Sequence, residues 1–254
     1  MLIPDPAPSR PAPQALTTST DFRIVTLCAA VLAASAVIFY ANPVLDLAVS
    51  RWFYTPGHGF ALDKTLSLDA VRRLGIGITF ATIAALIGIG VWWRLAPHAT
   101  KQWPSATPWT DWLFLTAGMA LGPGVLVNLV VKPIWGRARP RHIEEFGGAL
   151  HFSPAWVISD QCKWGCSFVS GEAAATFMVL AFCVVVPPPW RRAMLIAGVL
   201  LTLMISIARI AVGGHFLSDV VTAWIMMALV IAVLHAQVYQ GALLGPLQRW
   251  LPRR

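Results

Sequence analysis

Lys132-Pro133-Ile134-Trp135-Gly136-Arg137-Ala138-Arg139-Pro140 closes a long apolar segment, and cations in that position need a reason. With Arg141 they make four cations within ten residues. The 254-residue chain is 57% hydrophobic and only 12% charged, with a mean hydropathy of +0.67. Soluble domains carry about 25% charged residues, so this composition is that of a membrane protein. The formal net charge of +8 then fits cytoplasmic Lys/Arg bias and attraction to anionic lipid or substrate. It does not fit nucleic acid, since no basic soluble module is visible.

Working outward, apolar runs long enough to cross a bilayer cover about 24–40, 76–93 and 112–131 before and up to the cationic stretch, and 194–212 and 220–238 beyond it. A shorter run, 173–186, lies between. The expectation is an all-α, polytopic membrane protein with six transmembrane helices and an extracytoplasmic active site. Residues 1–22, rich in Pro, Ala and Ser, read as a flexible cytoplasmic tail without the basic start and apolar core of a signal peptide. Residues 23–240 read as the membrane domain, and 241–254 as a basic cytoplasmic tail. Apolar residues at helical spacing over 62–74 predict a helix along the interface. Arg191-Arg192 and the basic C-terminus place that side in the cytoplasm, although Arg51, Lys64, Arg72 and Arg73 argue the other way.

This topology puts two further polar patches on the same face as Lys132–Pro140. Ser170-Gly171-Glu172 opens the fourth span. There, free N–H groups attract anions, although Ser170 also reads as a plain N-cap. Arg209, His215 and Asp219 lie between the fifth and sixth spans. His215 and Asp219 are four apart and would share a helix face, the aspartate fixing the tautomer of a nucleophilic imidazole. Ionisable groups among apolar runs are costly and functional by default. Lys132 and Arg139 suit a phosphate as point charge and fork, or anionic headgroups as simple anchors; Arg137 and Arg141 read as anchors. Cys162 and Cys166 flank a polar tripeptide, so a local disulfide competes with zinc, for which a second ligand pair of the usual spacing is missing.

Lys132-x6-Arg139-Pro140, then Ser170-Gly171, then Arg209-x5-His215-x3-Asp219 resembles the type 2 phosphatidic acid phosphatase family, over roughly 112–238. The resemblance implies a metal-independent phosphatase without cofactor. His215 would attack phosphorus to form a phosphohistidine, with Asp219 orienting it. Lys132, Arg139, Arg209 and the Ser170 and Gly171 amides would hold the phosphoryl oxygens, charge stabilisation being the main need of phosphoryl transfer.

One position departs from the family's pattern: Glu172 stands where a histidine usually protonates the leaving group. A glutamic acid can serve if it is protonated, so Glu172 is expected to be the acid and the pH optimum acidic, with His142 and His151 as fallback acids. Members with a glutamate here resemble lipid A phosphatases. That favours a lipid A phosphate over polyprenyl diphosphate, phosphatidylglycerol phosphate or phosphatidic acid, at the periplasmic face of a bacterial inner membrane. The loop 141–169, with Trp156 and Trp164, could shape a pocket for a large headgroup. Alternatives are a lipid-to-lipid phosphotransferase using the same residues and a non-catalytic lipid-phosphate binding or transport protein. Partners are the bilayer and its lipid phosphate; sequence leaves oligomeric state open.

Overall fold

The computed structural model describes residues 18–60, 66–103, 105 and 107–239. The expected C-terminal tail, residues 1–17 of the N-terminal one and the first four residues of the expected interfacial helix lie outside this range.

Five described helices or helical runs are long and apolar enough to cross a membrane. The first is α1 (Thr18–Ala41), which begins inside the stretch expected to be a tail. It packs along the last helix, α9 (Leu217–Tyr239). A short helix, α2 (Val44–Arg51), and a hairpin of β1 (Tyr54–Thr55) with β2 (Gly59–Phe60) follow α1. The second span is α3 (Leu66–Leu95), 30 residues long. The expected interfacial helix is therefore not separate, because from Leu66 onward it forms the first turns of α3. Gly75 and Gly77 at the junction do not end the helix, since a backbone in lipid keeps its helical hydrogen bonds rather than exposing them.

The third span is a composite. It runs through α4 (Pro108–Met119), a wide π-helical stretch at Ala120–Val131 and one turn, α5 (Lys132–Trp135). Pro123 sits inside the π stretch. It has no N–H to give to the helical ladder, and the Asn128 side chain donates to the Pro123 carbonyl at 2.7 Å. Such side-chain insertion is a recognised cause of helix distortion. The distortion turns Asn128 toward the helix that follows, as described below.

The expected fourth span is shorter and broken: α6 (Gly171–Phe177), a tight turn at Met178–Ala181 and α7 (Phe182–Val185). At about 1.5 Å per residue it is about 22 Å long, below the ~30 Å hydrocarbon core. Its small residues Ala173 and Ala174 are wholly buried in the main core with Phe114, Val127 and Met227. Small side chains let membrane helices approach closely, and α6 is packed against α8, α9 and the π stretch. The fifth span, α8 (Pro188–Ala211), begins within the expected proline connector, Pro188 taking the first helical position where its missing N–H costs nothing. Outward-facing Val31, Ile38, Ile87, Leu200 and Ile207 leave the belt apolar, as contact with lipid tails requires.

Candidate active site

At the end of α5, Gly136 adopts φ +53°, and a Cβ there would stand 2.0 Å from the Ser159 carbonyl oxygen. The chain turns at that glycine and carries Arg137 inward. Arg137 is fully buried. Its Nη2 donates to Asp46 Oδ2 at 2.8 Å, its Nη1 to Asp219 Oδ1 at 2.7 Å and Ser218 Oγ at 2.8 Å, and its Nε to the Ser153 carbonyl at 2.8 Å. The Phe216 ring centroid lies 4.2 Å from its guanidinium carbon, a cation–π distance. The anchor role expected of Arg137 is thus corrected. One buried cation balances two buried carboxylates, which is the condition under which such charges are tolerated. Asp46 completes the unit by accepting from the Ser218 amide and hydroxyl, at 2.8 and 2.6 Å.

Asp219 is therefore held from several sides. Its Oδ2 accepts from the Phe216 amide at 2.8 Å and from the Ser167 hydroxyl. The same oxygen is 3.5 Å from His215 Nδ1, whereas the Ser167 carbonyl is only 2.8 Å from that nitrogen. A carbonyl only accepts, so Nδ1 carries the proton and Nε2 keeps its lone pair. The tautomer expected of Asp219 alone is fixed chiefly by Ser167, which Asp219 in turn grips through its hydroxyl. His215 itself is not helical. It lies in a turn before α9, opened by Gly213 at φ +63°, and a Cβ on Gly214 would stand 2.5 Å from Arg209 Nη2. The glycine pair thus lets the turn lie directly against the Arg209 guanidinium. His215 is 2% exposed. Burial lowers its pKa to about 3, against the smaller opposing pull of Asp219 and with the charges of Arg209 and Lys132 adding to the depression. The ring is neutral at neutral and mildly acidic pH.

The cations converge on this imidazole. A Cβ on Gly171 would lie 3.1 Å from Lys132 Nζ and 3.0 Å from Asn128 Oδ1, so the π stretch and α6 meet at the site. Arg139 donates through Nε to the Gly165 carbonyl at 2.8 Å, which leaves its two terminal nitrogens for a ligand. Gly165 lies between Cys162 and Cys166, which the structure joins as a disulfide. Arg209 is 4% exposed, and its Nε is buried without a hydrogen bond, 3.1 Å from Glu172 Oε2. Lys132, Arg139, Arg209 and Glu172 lie within electrostatic reach of one another. Of the two expected roles of Ser170, the structure shows the N-cap. Its amide donates to the Asp219 carbonyl at 3.0 Å, and its hydroxyl accepts from Ala173 N as the N-cap of α6. What Ser170 has left for a phosphate is the hydroxyl proton, beside the neighbouring Gly171 amide.

From Lys132, Gly171 and Glu172 a cleft of ≈ 360 Å³ extends between α3, the π stretch and α6, lined by Ile76, Thr79, Phe80 and Ile83. One end is polar, with Lys132, Glu172 and Asn128, and the other is apolar. Of the two fallback acids, His151 is exposed and paired with Glu144 at 3.2 Å, and His142 accepts weakly from its neighbour Arg141 at 3.4 Å.

Sequence reasoning missed Asp46, Arg137, Ser167, Asn128 and Arg72. Arg72 lies on α3 and donates to Glu172 Oε1 at 3.3 Å. The second arginine of Arg137-Ala138-Arg139 was a usable signal, since two cations flanking one alanine point to different environments. Ser167 carries no signal in the sequence.

Residues 111–242 match the PAP2 superfamily. A lipid A 4'-phosphatase of Rhizobium leguminosarum is 40% identical over 213 residues, covering 78% of this chain and 89% of its own. Relatives of the same name from Rhizobium etli and Francisella tularensis subsp. novicida are each 38% identical over shorter stretches. These cover 46% and 50% of this chain, and 46% and 58% of theirs. Among solved structures, a transmembrane PAP2-type phosphatidylglycerolphosphate phosphatase from Bacillus subtilis gives a TM-score of 0.49 at 15% identity. The match covers 88% of this chain and 98% of that one.

Proposed function

We propose, because this chain belongs to the PAP2 superfamily, that it is a multi-pass lipid phosphate phosphatase that removes the 4'-phosphate of lipid A. The observation that carries this reading is the state of His215. Its Nδ1–H is committed to the Ser167 carbonyl, so Nε2 is a lone-pair nucleophile beside Lys132, Arg139 and Arg209. The substrate class is supported by the three lipid A 4'-phosphatases among its relatives and by the cleft, whose apolar wall suits an acyl chain while its polar end, at Lys132, opens toward the phosphate site.

His215 Nε2 attacks phosphorus in line with the leaving oxygen. The new N–P bond forms as the P–O bond to the sugar breaks, and a protonated Glu172 gives its proton to that oxygen. Lys132, Arg139 and Arg209 neutralise the charge on the equatorial oxygens, the main catalytic contribution in such transfers. Water then attacks the phosphohistidine, the Glu172 carboxylate takes its proton, and free phosphate leaves. A nucleophile that stays neutral down to about pH 3 and an acid that must be protonated work together best below neutrality, so an acidic optimum is expected.

In this reading Gly171–Val185, shorter than the hydrocarbon core but packed among the longer helices, is the sixth crossing, giving six passes. The active site faces the periplasm across a bacterial inner membrane. The Cys162–Cys166 disulfide supports this, since it lies beside Arg139 and such bonds persist in oxidising compartments. The test is to offer the purified protein lipid A, polyprenyl diphosphate, phosphatidylglycerol phosphate and phosphatidic acid in turn, and to analyse products by mass spectrometry. Loss of the 4'-phosphate from lipid A with release of inorganic phosphate is expected. Transfer of the phosphoryl group to a second lipid without free phosphate would make the chain a phosphotransferase, and binding without turnover at any pH would make it a carrier.

A further inference from the structure

Glu172 replaces the histidine of the family pattern, and its surroundings contain a residue that no motif includes. Arg72 Nε donates to Glu172 Oε1 at 3.3 Å, from a position 100 residues away in sequence. The other oxygen, Oε2, is 3.1 Å from Arg209 Nε. One carboxylate on α6 therefore bridges α3 and α8. The two contacts differ in kind. The first is a hydrogen bond. The second brings two buried atoms together, neither of which has a hydrogen bond, and unsatisfied buried groups of this sort are costly unless a ligand completes them. A phosphate oxygen arriving at Arg209 would satisfy Nε and release Oε2.

We propose that Arg72 is a positioning residue for Glu172, holding Oε1 so that Oε2 faces the leaving oxygen once the phosphate has taken Arg209. This rests on the phosphatase reading above. A carboxylate can accept from guanidinium groups on both of its oxygens, whereas an imidazole can do so on neither side once protonated. The glutamate therefore needs a partner that a histidine would not. The charges facing Glu172 are Arg72 from α3, Arg209 from α8, Lys132 from α5 and Arg139 from the loop beyond it. Arg72 draws the carboxylate toward α3, away from the three cations that the substrate phosphate must occupy. Arg72 is also nearly half exposed, so its role in packing is small.

The experiment is a double-mutant cycle on the full chain, with lipid A in mixed micelles as substrate and inorganic phosphate as the readout. Arg72→Ala is expected to lower kcat by about tenfold to a hundredfold, the usual cost of a misplaced catalytic group, with KM changed by less than about threefold. Arg72→Lys should regain part of the loss. Combined with Glu172→Gln, Arg72→Ala should add nothing, because both changes remove one unit. Should Arg72→Ala prove unstable, Arg72→Gln keeps most of the stem and takes its place in the cycle. Losses that multiply, wild-type kcat in Arg72→Ala or wild-type kcat in Glu172→Gln would each overturn the role of Arg72. A wild-type protein that releases no phosphate from any lipid would instead overturn the phosphatase reading, and the proposal with it.

Discussion

Arg137 and Asp219 meet at 2.7 Å with no solvent access to either side chain, and Asp46 is as deeply buried on the other side of the same guanidinium. Removing one member of such a group leaves uncompensated charge, at a cost of about 3–5 kcal/mol. Arg137→Met should therefore lower the melting temperature in detergent sharply, with activity lost alongside because Asp219 and Ser167 lose their register. A melting temperature equal to the wild type would show that the network is not needed. His215 gives a second expectation. Its pKa falls from an ordinary value near 6.5 to about 3 on folding, so between these values the unfolded chain binds more protons. Stability is then fully present above about pH 6.5 and drains away as pH falls towards 3. Thermal melts between pH 6.5 and 4 should decline more steeply for the wild type than for His215→Ala. At this scale the sequence was informative for one reason: Lys132, Arg139, Arg209, His215 and Asp219 are ionisable groups among apolar runs. Arg137 was misread because its partner Asp46 lies 91 positions away, a pairing that only the fold creates.

Among elements, the loop from Arg141 to Val169 holds one of the cations of the site in place. Its disulfide closes the short turn whose Gly165 carbonyl takes the Nε of Arg139. Opening that turn frees the guanidinium to leave the phosphate. Cys162→Ser with Cys166→Ser, or treatment with a reductant, should raise KM for the lipid phosphate by about tenfold, the loss of about one charge-assisted hydrogen bond, and leave kcat within a few-fold. An unchanged KM would remove the loop from substrate binding. The helices themselves were largely legible, since long apolar runs have few alternatives in a membrane. Their ends and distortions were not. The merging of the interfacial segment into α3 put Arg72 within reach of Glu172, and the π stretch around Pro123 put Asn128 beside Gly171. Both depend on packing between helices, which periodicity does not record.

Across the whole molecule, these contacts bring residues of α2, α3, α5, α6, α8, α9 and the loop beyond α5 together at one site. Of the two arginines of α3 that argue against the expected orientation, Arg72 has a local partner in Glu172. The central claim is that these residues form one phosphate site with His215 as its nucleophile. The most direct measurement is inorganic phosphate release from lipid A by purified wild-type protein and by His215→Ala, at the acidic optimum and at equal folded concentration. The wild type should turn over repeatedly, and the variant should fall by about 10⁴-fold or more, as loss of an activated nucleophile does. A His215→Ala protein that keeps more than about a hundredth of the wild-type rate would contradict that claim.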